Sequence, residues 1–219
     1  MIKFRYGNAA PSRESIGEYL KTQKSTGNYS VVDIGGSDDP WSKPDVILDI
    51  RKSNFTGRTF IGNINDKDGW LELLEYVVVN GKFDFSVCSH TLEDIAYPAL
   101  TLRMLPLVSK AGYIVSPSHF RELSRNVEWN SEYRGFFHHR WILVPDQNVL
   151  TLVPKISALE YIPEIKGEMS DDKSELQVWW AGEISFRVFN DDYLGPSQPE
   201  IIEKYKQLLR RVDDTARNV

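Results

Sequence analysis

The chain has 219 residues, enough for one domain with a full core, and its 41% hydrophobic and 12% aromatic content is ordinary for a folded protein. A net charge of −5 argues against nonspecific nucleic-acid binding, which needs Lys and Arg to neutralise phosphates. The lone Cys88 excludes an internal disulfide, the first residues form no apolar leader, and no apolar run is long enough to span a bilayer, so a cytoplasmic protein with no membrane span is expected.

Ile16, Tyr19 and Leu20 stand at helical spacing and predict a short amphipathic helix over 15–24, closed by Ser25-Thr26-Gly27-Asn28. Strands follow at 29–34, 45–50 and 58–61, with a Pro-rich connection over 38–44. The pattern then predicts a helix over 67–79 stopped by Asn80-Gly81, a strand over 83–88, a helix over 98–108 with Pro106 near its end, and a strand over 112–116. This alternation implies a parallel sheet with helices on both faces.

Past Ser116 the pattern changes. Residues 119–140 are polar, aromatic and irregular. A hairpin is expected from 141–144 and 149–153 around Pro145-Asp146-Gln147-Asn148, and a second from 176–180 and 184–189 around Ala181-Gly182-Glu183. The last element is a helix over 199–212, and 167–174 is the best loop candidate. No repeat or linker is evident, so a single domain over 1–219 is expected.

The stretch Val31-Val32-Asp33-Ile34-Gly35-Gly36-Ser37 carries the most chemistry. An apolar strand running into an acidic residue and two glycines exposes backbone N–H groups and lets a charged small molecule approach closely. Asp49 closes the next strand, where a carboxylate can accept both hydroxyls of a ribose. All four histidines, His90, His119, His138 and His139, fall in segments that can lie at the carboxyl ends of strands, where doubly wound sheets bind ligands. Cys88 reads as a small residue inside a strand.

Together with the run 83–94, which includes Ser89-His90-Thr91-Leu92-Glu93-Asp94, these residues resemble the class I S-adenosylmethionine-dependent methyltransferases. The resemblance covers 29–141 and is to the small bacterial and viral type associated with polysaccharide synthesis. It implies a doubly wound, Rossmann-like α/β fold: a mostly parallel seven-stranded sheet with an antiparallel C-terminal strand and an additional β-hairpin. It further implies a cofactor half over 29–116, an acceptor-binding insertion over 117–154, and S-adenosyl-L-methionine held by Asp33, Gly35, Gly36, Ser37, Asp49, Asn63, Cys88, Ser89 and His90. Ser37 stands where the family's turn has its second glycine, and Asn63 where an aspartate is usual.

Methyl transfer to a hydroxyl needs alignment and a proton acceptor, and imidazole is the side chain best tuned for the second task. His90 and His139 lead as candidate bases, followed by His138. Asp94, His119, Glu122, Tyr133, Arg134, His138 and Arg140 are the candidate acceptor contacts. The resemblance and the aromatic, His-rich loop favour O-methylation of a sugar hydroxyl in a glycan or nucleotide-sugar over a small metabolite, with nucleic acid last. The His, Asp and Glu spacings match no metal motif, and no metal is expected. A nicotinamide dinucleotide enzyme would need G-x-G-x-x-G, which is absent; a catalytically degenerate binding or scaffold protein is the reading that Ser37 and Asn63 would motivate.

Overall fold

The computed structural model describes residues 1–36, 39–41, 43–52, 54–129, 131–165, 171–189 and 198–216. Strand β2 (Val31–Ile34) and strand β3 (Val46–Asp49) are buried along their whole length, as expected of β-branched and apolar runs covered on both faces. They belong to a seven-stranded sheet that also contains β1 (Ile2–Gly7), β4 (Arg58–Ile61), β5 (Phe83–Ser89), β6 (Ser109–Pro117) and β9 (Glu175–Ala181), in the order β1-β9-β6-β5-β2-β3-β4. The five strands β4, β3, β2, β5 and β6 pair in parallel, while β9 is antiparallel to both β6 and β1. This is the mostly parallel α/β sheet that the resemblance implies.

The edge strand β1 stands where no element is expected from the sequence. Its signal is nonetheless there, because Ile2, Phe4 and Tyr6 alternate with Lys3 and Arg5, and the first three pack on the main core. Helix α1 (Ala9–Ser25) begins earlier than the spacing predicts and takes in Pro11 in its first turn, where a missing N–H is tolerated. Through Ile16 and Leu20 it covers Val31, Phe85, Val87, Tyr113 and Val115 on one face of the sheet. Helices α2 (Leu71–Asn80) and α3 (Pro98–Val108) cover the other face. The expected helix over 67–79 divides into a 3₁₀ turn, Lys67–Trp70, and α2.

Among the described residues no helix stands between β2 and β3 or between β3 and β4. One sequence expectation is corrected. The second hairpin does not form. Both sides of β9 are already hydrogen-bonded, to β6 and to β1, so β10 (Phe186–Val188) has no edge to join there. It pairs instead, in parallel, with β8 (Val149–Pro154), which forms the expected hairpin with β7 (Trp141–Asp146).

This three-stranded sheet shares its core with the large one: Leu143, Leu150 and Leu152 lie in the same apolar cluster as Val32, Ile114 and Val178. Its other side is closed by Ile201, Tyr205 and Leu208 of helix α5 (Gln198–Ala216), packed on Ile142, Val144, Val153 and Leu159. No helix among the described residues is long and apolar enough to cross a membrane.

Trp70, fully buried, donates from Nε1 to the Ile64 carbonyl at 3.1 Å and pins the loop after β4. Trp70→Ala removes that bond and opens a cavity. Urea unfolding should register a loss of about 3–5 kcal/mol; a loss under about 1 kcal/mol would mean that the loop is held by other contacts.

Candidate functional site

The chain runs outward from β2 to β3 and β4, then returns to place β5 on the other side of β2. Strand order therefore reverses between β2 and β5, and a crevice opens at their carboxyl ends. A cleft of about 250 Å³ lies there. Its walls come from the ends of four successive elements: Gly35 after β2, Asp49 to Arg51 after β3, Gly62 to Asn65 after β4, and His90, Thr91, Asp94 and Ile95 after β5.

Gly35 has φ +80°, and a Cβ placed on it would lie 2.7 Å from Thr91 Oγ1, so the two loops meet only because this position lacks a side chain. Beneath the turn, Asp33 is fully buried, and neither of its carboxylate oxygens completes a hydrogen bond among the described residues. Burial pushes its pKa up to about 7; the Trp41 amide, short of hydrogen-bonding geometry, favours the anion and the Asp49 charge opposes it. Asp49 is itself nearly buried and accepts the Arg51 amide at 2.9 Å. The cleft thus has a glycine turn backed from beneath by the buried Asp33 on one side and a strand-end carboxylate on the other, with Ile50, Ile64 and Ile95 as apolar wall.

His90 occupies the left-handed region, φ 47°, directly after β5. Its Nε2 lies 2.9 Å from Glu175 Oε1 and its Nδ1 3.3 Å from Glu93 Oε1, while its ring leans on Trp41 with centroids 5.3 Å apart. Both carboxylates are almost fully buried. Burial alone would depress the imidazolium, but the bonds to Glu175 and Glu93 outweigh it and carry the pKa to about 10. At neutral pH His90 is a cation.

The irregular segment after α4 (His119–Leu123) is drawn over this end of the sheet by one acceptor. The main-chain carbonyl of Glu93 takes the amides of Arg140 at 2.7 Å and Trp141 at 3.1 Å, and Trp141 Nε1 donates to Ile95 O at 3.0 Å. His138 and His139 are thereby placed opposite Asp94. Oδ1 of Asp94 lies 3.7 Å from His138 Nε2 and 3.5 Å from His139 Nε2. Each ring is backed by an acid on its other nitrogen, His139 Nδ1 by Glu122 Oε1 at 2.7 Å and His138 Nδ1 by Glu128 Oε1 at 3.4 Å. Glu122 is buried and balanced by Lys155 Nζ at 2.6 Å from Oε2. Burial raises the pKa of Asp94, and the two histidines pull it the other way.

Of the residues expected at the cofactor, Gly35, Asp49, Asn63 and His90 line the cleft, and Gly36 follows in the turn above the Asp33 carboxylate. Ser37 lies outside the described residues. Cys88 and Ser89 are buried in and at the end of β5, and burial pushes the Cys88 thiol far up. Asn63 is engaged locally, accepting the Asn65 amide at 3.1 Å and donating to Asp66 at 2.8 Å. Thr91, Ile50, Arg51 and Ile95 also line the cleft, and Ile50, which the sequence pattern includes in the strand 45–50, is left 60% exposed directly after it.

Of the expected acceptor contacts, Asp94 and His138 stand at the mouth with His139, and Glu122 lies behind it. Tyr133 is exposed and borders a second pocket of about 220 Å³ with Phe137 and His139. Arg134 lines that pocket too, but its guanidinium donates to the carbonyls of Leu123 at 2.8 Å and Ile165 at 2.6 Å. His119 is buried between Phe120 and Tyr6, its Nδ1 3.3 Å from Tyr6 Oη. Arg140 is exposed.

No family model and no curated relative matches the chain. Solved structures similar to it include the methyltransferase domain of bacterial CtHen1-C, at 9% identity and a TM-score of 0.41, covering 78% of this chain and 98% of that one. The N-terminal domain of EvdMO1 with SAH bound matches at 13% identity and 0.42, over 80% of this chain and 82% of that one. Magnesium protoporphyrin IX methyltransferase (ChlM) from Synechocystis PCC 6803 with bound SAH matches at 8% and 0.38, over 77% and 82%. At these identities the chemistry of the site rests on the chain's own residues.

The folded-state pKa of His90 lies above its ordinary value near 6.5, so its ion pairs contribute fully below about 6.5 and are lost as pH climbs towards about 10. A proton NMR titration of the His90 ring should show no transition through pH 8; a midpoint at or below 7 would contradict the cage of Glu93 and Glu175.

Proposed function

We propose that the chain is an S-adenosylmethionine-dependent methyltransferase that transfers to a hydroxyl of a glycan or nucleotide-sugar. The observation that carries this reading is the meeting, in one crevice at the strand-order reversal, of the Gly35 turn over buried Asp33 and the Asp49 carboxylate across from it. An acid shifted by burial to about 7, with no completed hydrogen bond, is suited to a cationic ligand group, as the ammonium of a methionine moiety is. Asp49 would accept ribose hydroxyls, and Ile50, Ile64 and Ile95 would flank an adenine. Bound there, the cofactor supplies a methyl group on a sulfonium.

The chain's task is then to hold an acceptor oxygen in line, to keep water out and to remove a proton. His90 is a poor proton acceptor because it is already protonated at neutral pH. It serves better as a fixed cation at the cleft wall. Proton removal falls instead to the Asp94–His138–His139 cluster at the mouth, with His139 oriented by Glu122. Trp129, Tyr133 and Phe137 are respectively 83%, 60% and 54% exposed; Phe137 stands 5.7 Å from His138, and Trp129 5.4 Å from Phe137. Exposed aromatic faces suit the C–H side of a sugar ring and favour a carbohydrate over a purely apolar metabolite.

Calorimetric titration should show binding of S-adenosylmethionine and none of NAD. Asp49→Ala should weaken that binding by about 10- to 150-fold, the equivalent of about 1.5–3 kcal/mol for hydrogen bonds to a charged group. Gly35→Ala should weaken it as well, by forcing the turn from Thr91. No binding of either nucleotide by the wild type would overturn the reading and leave a scaffold.

His139→Ala should lower methyl incorporation into glycan acceptors by about 10²–10⁴-fold while leaving cofactor affinity nearly unchanged. Labelled methyl appearing in RNA or protein instead of carbohydrate would overturn the acceptor assignment.

A further inference from the structure

We propose that Asp94, His138 and His139 bind a divalent transition-metal ion at the mouth of the cleft. This deepens the methyltransferase reading and rests on it only for the ion's role. The three residues offer one carboxylate oxygen and two imidazole nitrogens that all lie within 4.8 Å of one another. Tetrahedral bonds of about 2.0–2.1 Å separate neighbouring donors by about 3.4 Å. The 3.7 and 3.5 Å from Asp94 Oδ1 to the two Nε2 atoms are close to that spacing, so small rotations would complete the site.

Proximity alone would be weak, since acids and histidines often pair. What distinguishes this group is the arrangement behind it. Glu122 is buried and tied to Lys155, so it acts as an acceptor, and the Nδ1 of His139 must carry the proton between them. With Nε2 unprotonated, its lone pair would be directed at Asp94 from a side chain only 6% exposed. His138 repeats the pattern more loosely, with Glu128 at its Nδ1, and Glu128 is itself fixed by the Phe137 amide at 3.1 Å. A carboxylate behind each imidazole is how metal-binding histidines are oriented and made more basic. Oδ1 of Asp94 is meanwhile buried without a hydrogen-bond partner among the described residues.

Two imidazoles and one carboxylate suit zinc, cobalt, manganese or iron better than magnesium, which prefers an all-oxygen shell. Three protein ligands leave positions open, as in catalytic rather than structural sites. Asp94 also lines the cofactor cleft, so the open side adjoins the place where an acceptor oxygen must stand. An ion there would hold that oxygen and lower its pKa; this would replace direct proton removal by the two imidazoles, the proton passing to solvent at the mouth. The residues that form the site come from two loops 44 or more positions apart in the chain, joined through the Glu93 carbonyl, which is why no sequence spacing betrays it.

The test is titration of the full chain with Co²⁺, followed by its visible absorption, and with Zn²⁺ by calorimetry. One equivalent should bind. His138→Ala, at a half-exposed position that leaves the core intact, and His139→Ala should each weaken binding by at least about 10-fold. Glu122→Gln should weaken it by about 10- to 100-fold through loss of ring orientation. Absence of saturable Co²⁺ and Zn²⁺ binding, or binding unchanged in His138→Ala and His139→Ala, overturns the proposal. S-adenosylmethionine is titrated separately: metal binding without cofactor binding upholds this site and removes the methyltransferase reading, whereas cofactor binding without metal does the reverse.

Discussion

The carbonyl oxygen of Glu93 is the joint on which the site depends. It stands in the turn that follows β5, beside the point where strand order reverses, and it accepts the amides of both Arg140 and Trp141. Together with the Trp141 Nε1 bond to Ile95 O, those two bonds fix the segment carrying His138 and His139 against the cleft. With them, a loop from beyond the parallel sheet closes over the same carboxyl ends that hold Gly35 and Asp49. The interior position of β5, paired on both sides to β2 and β6, makes this joint rigid.

Around that joint the chain buries an unusual number of acids. Asp33, Glu93, Glu122 and Glu175 are all at or below 2% exposure and all lie at the carboxyl side of the sheet or in the loops above it. Burying a carboxylate costs several kcal/mol unless it is paired. Here the pairing is uneven. Glu122 has His139 and Lys155, and Glu175 has His90, whereas Asp33 has no completed hydrogen bond among the described residues. Clustered and incompletely satisfied acids, with Asp33 among them shifted upward by burial, mark functional sites more than structural ones. The cation at His90 and the acid-backed imidazoles across from it then divide the cleft into a charged wall and an imidazole-lined mouth.

Much of the sheet was legible because its signals are local. β4 and α3 have the bounds that their patterns predict, and the glycine turn after β2 is visible as Asp33-Ile34-Gly35-Gly36. The fate of β10 was not legible, since whether a strand forms a hairpin with β9 depends on whether β9 has a free edge, and that is decided by β1 at the far end of the chain. The candidate residues Asp49, Gly35 and His90 could be read as strand-end positions. The acid backing of each histidine could not: Glu175 lies 85 positions from His90, and Glu122 17 from His139, with no periodic pattern linking them. His90 illustrates the consequence, because the same imidazole reads as a base by type and as a cation once its two buried partners are known.

The central claim is that the crevice between the β2 and β5 ends holds a nucleoside-linked ligand. A crystal structure with S-adenosylhomocysteine tests it most directly. Density should lie against the Gly35 turn with the ribose hydroxyls on Asp49. Density at another place on the molecule, or a crevice closed by the side chains of Ile50 and His90 while ligand is present in excess, would contradict the account.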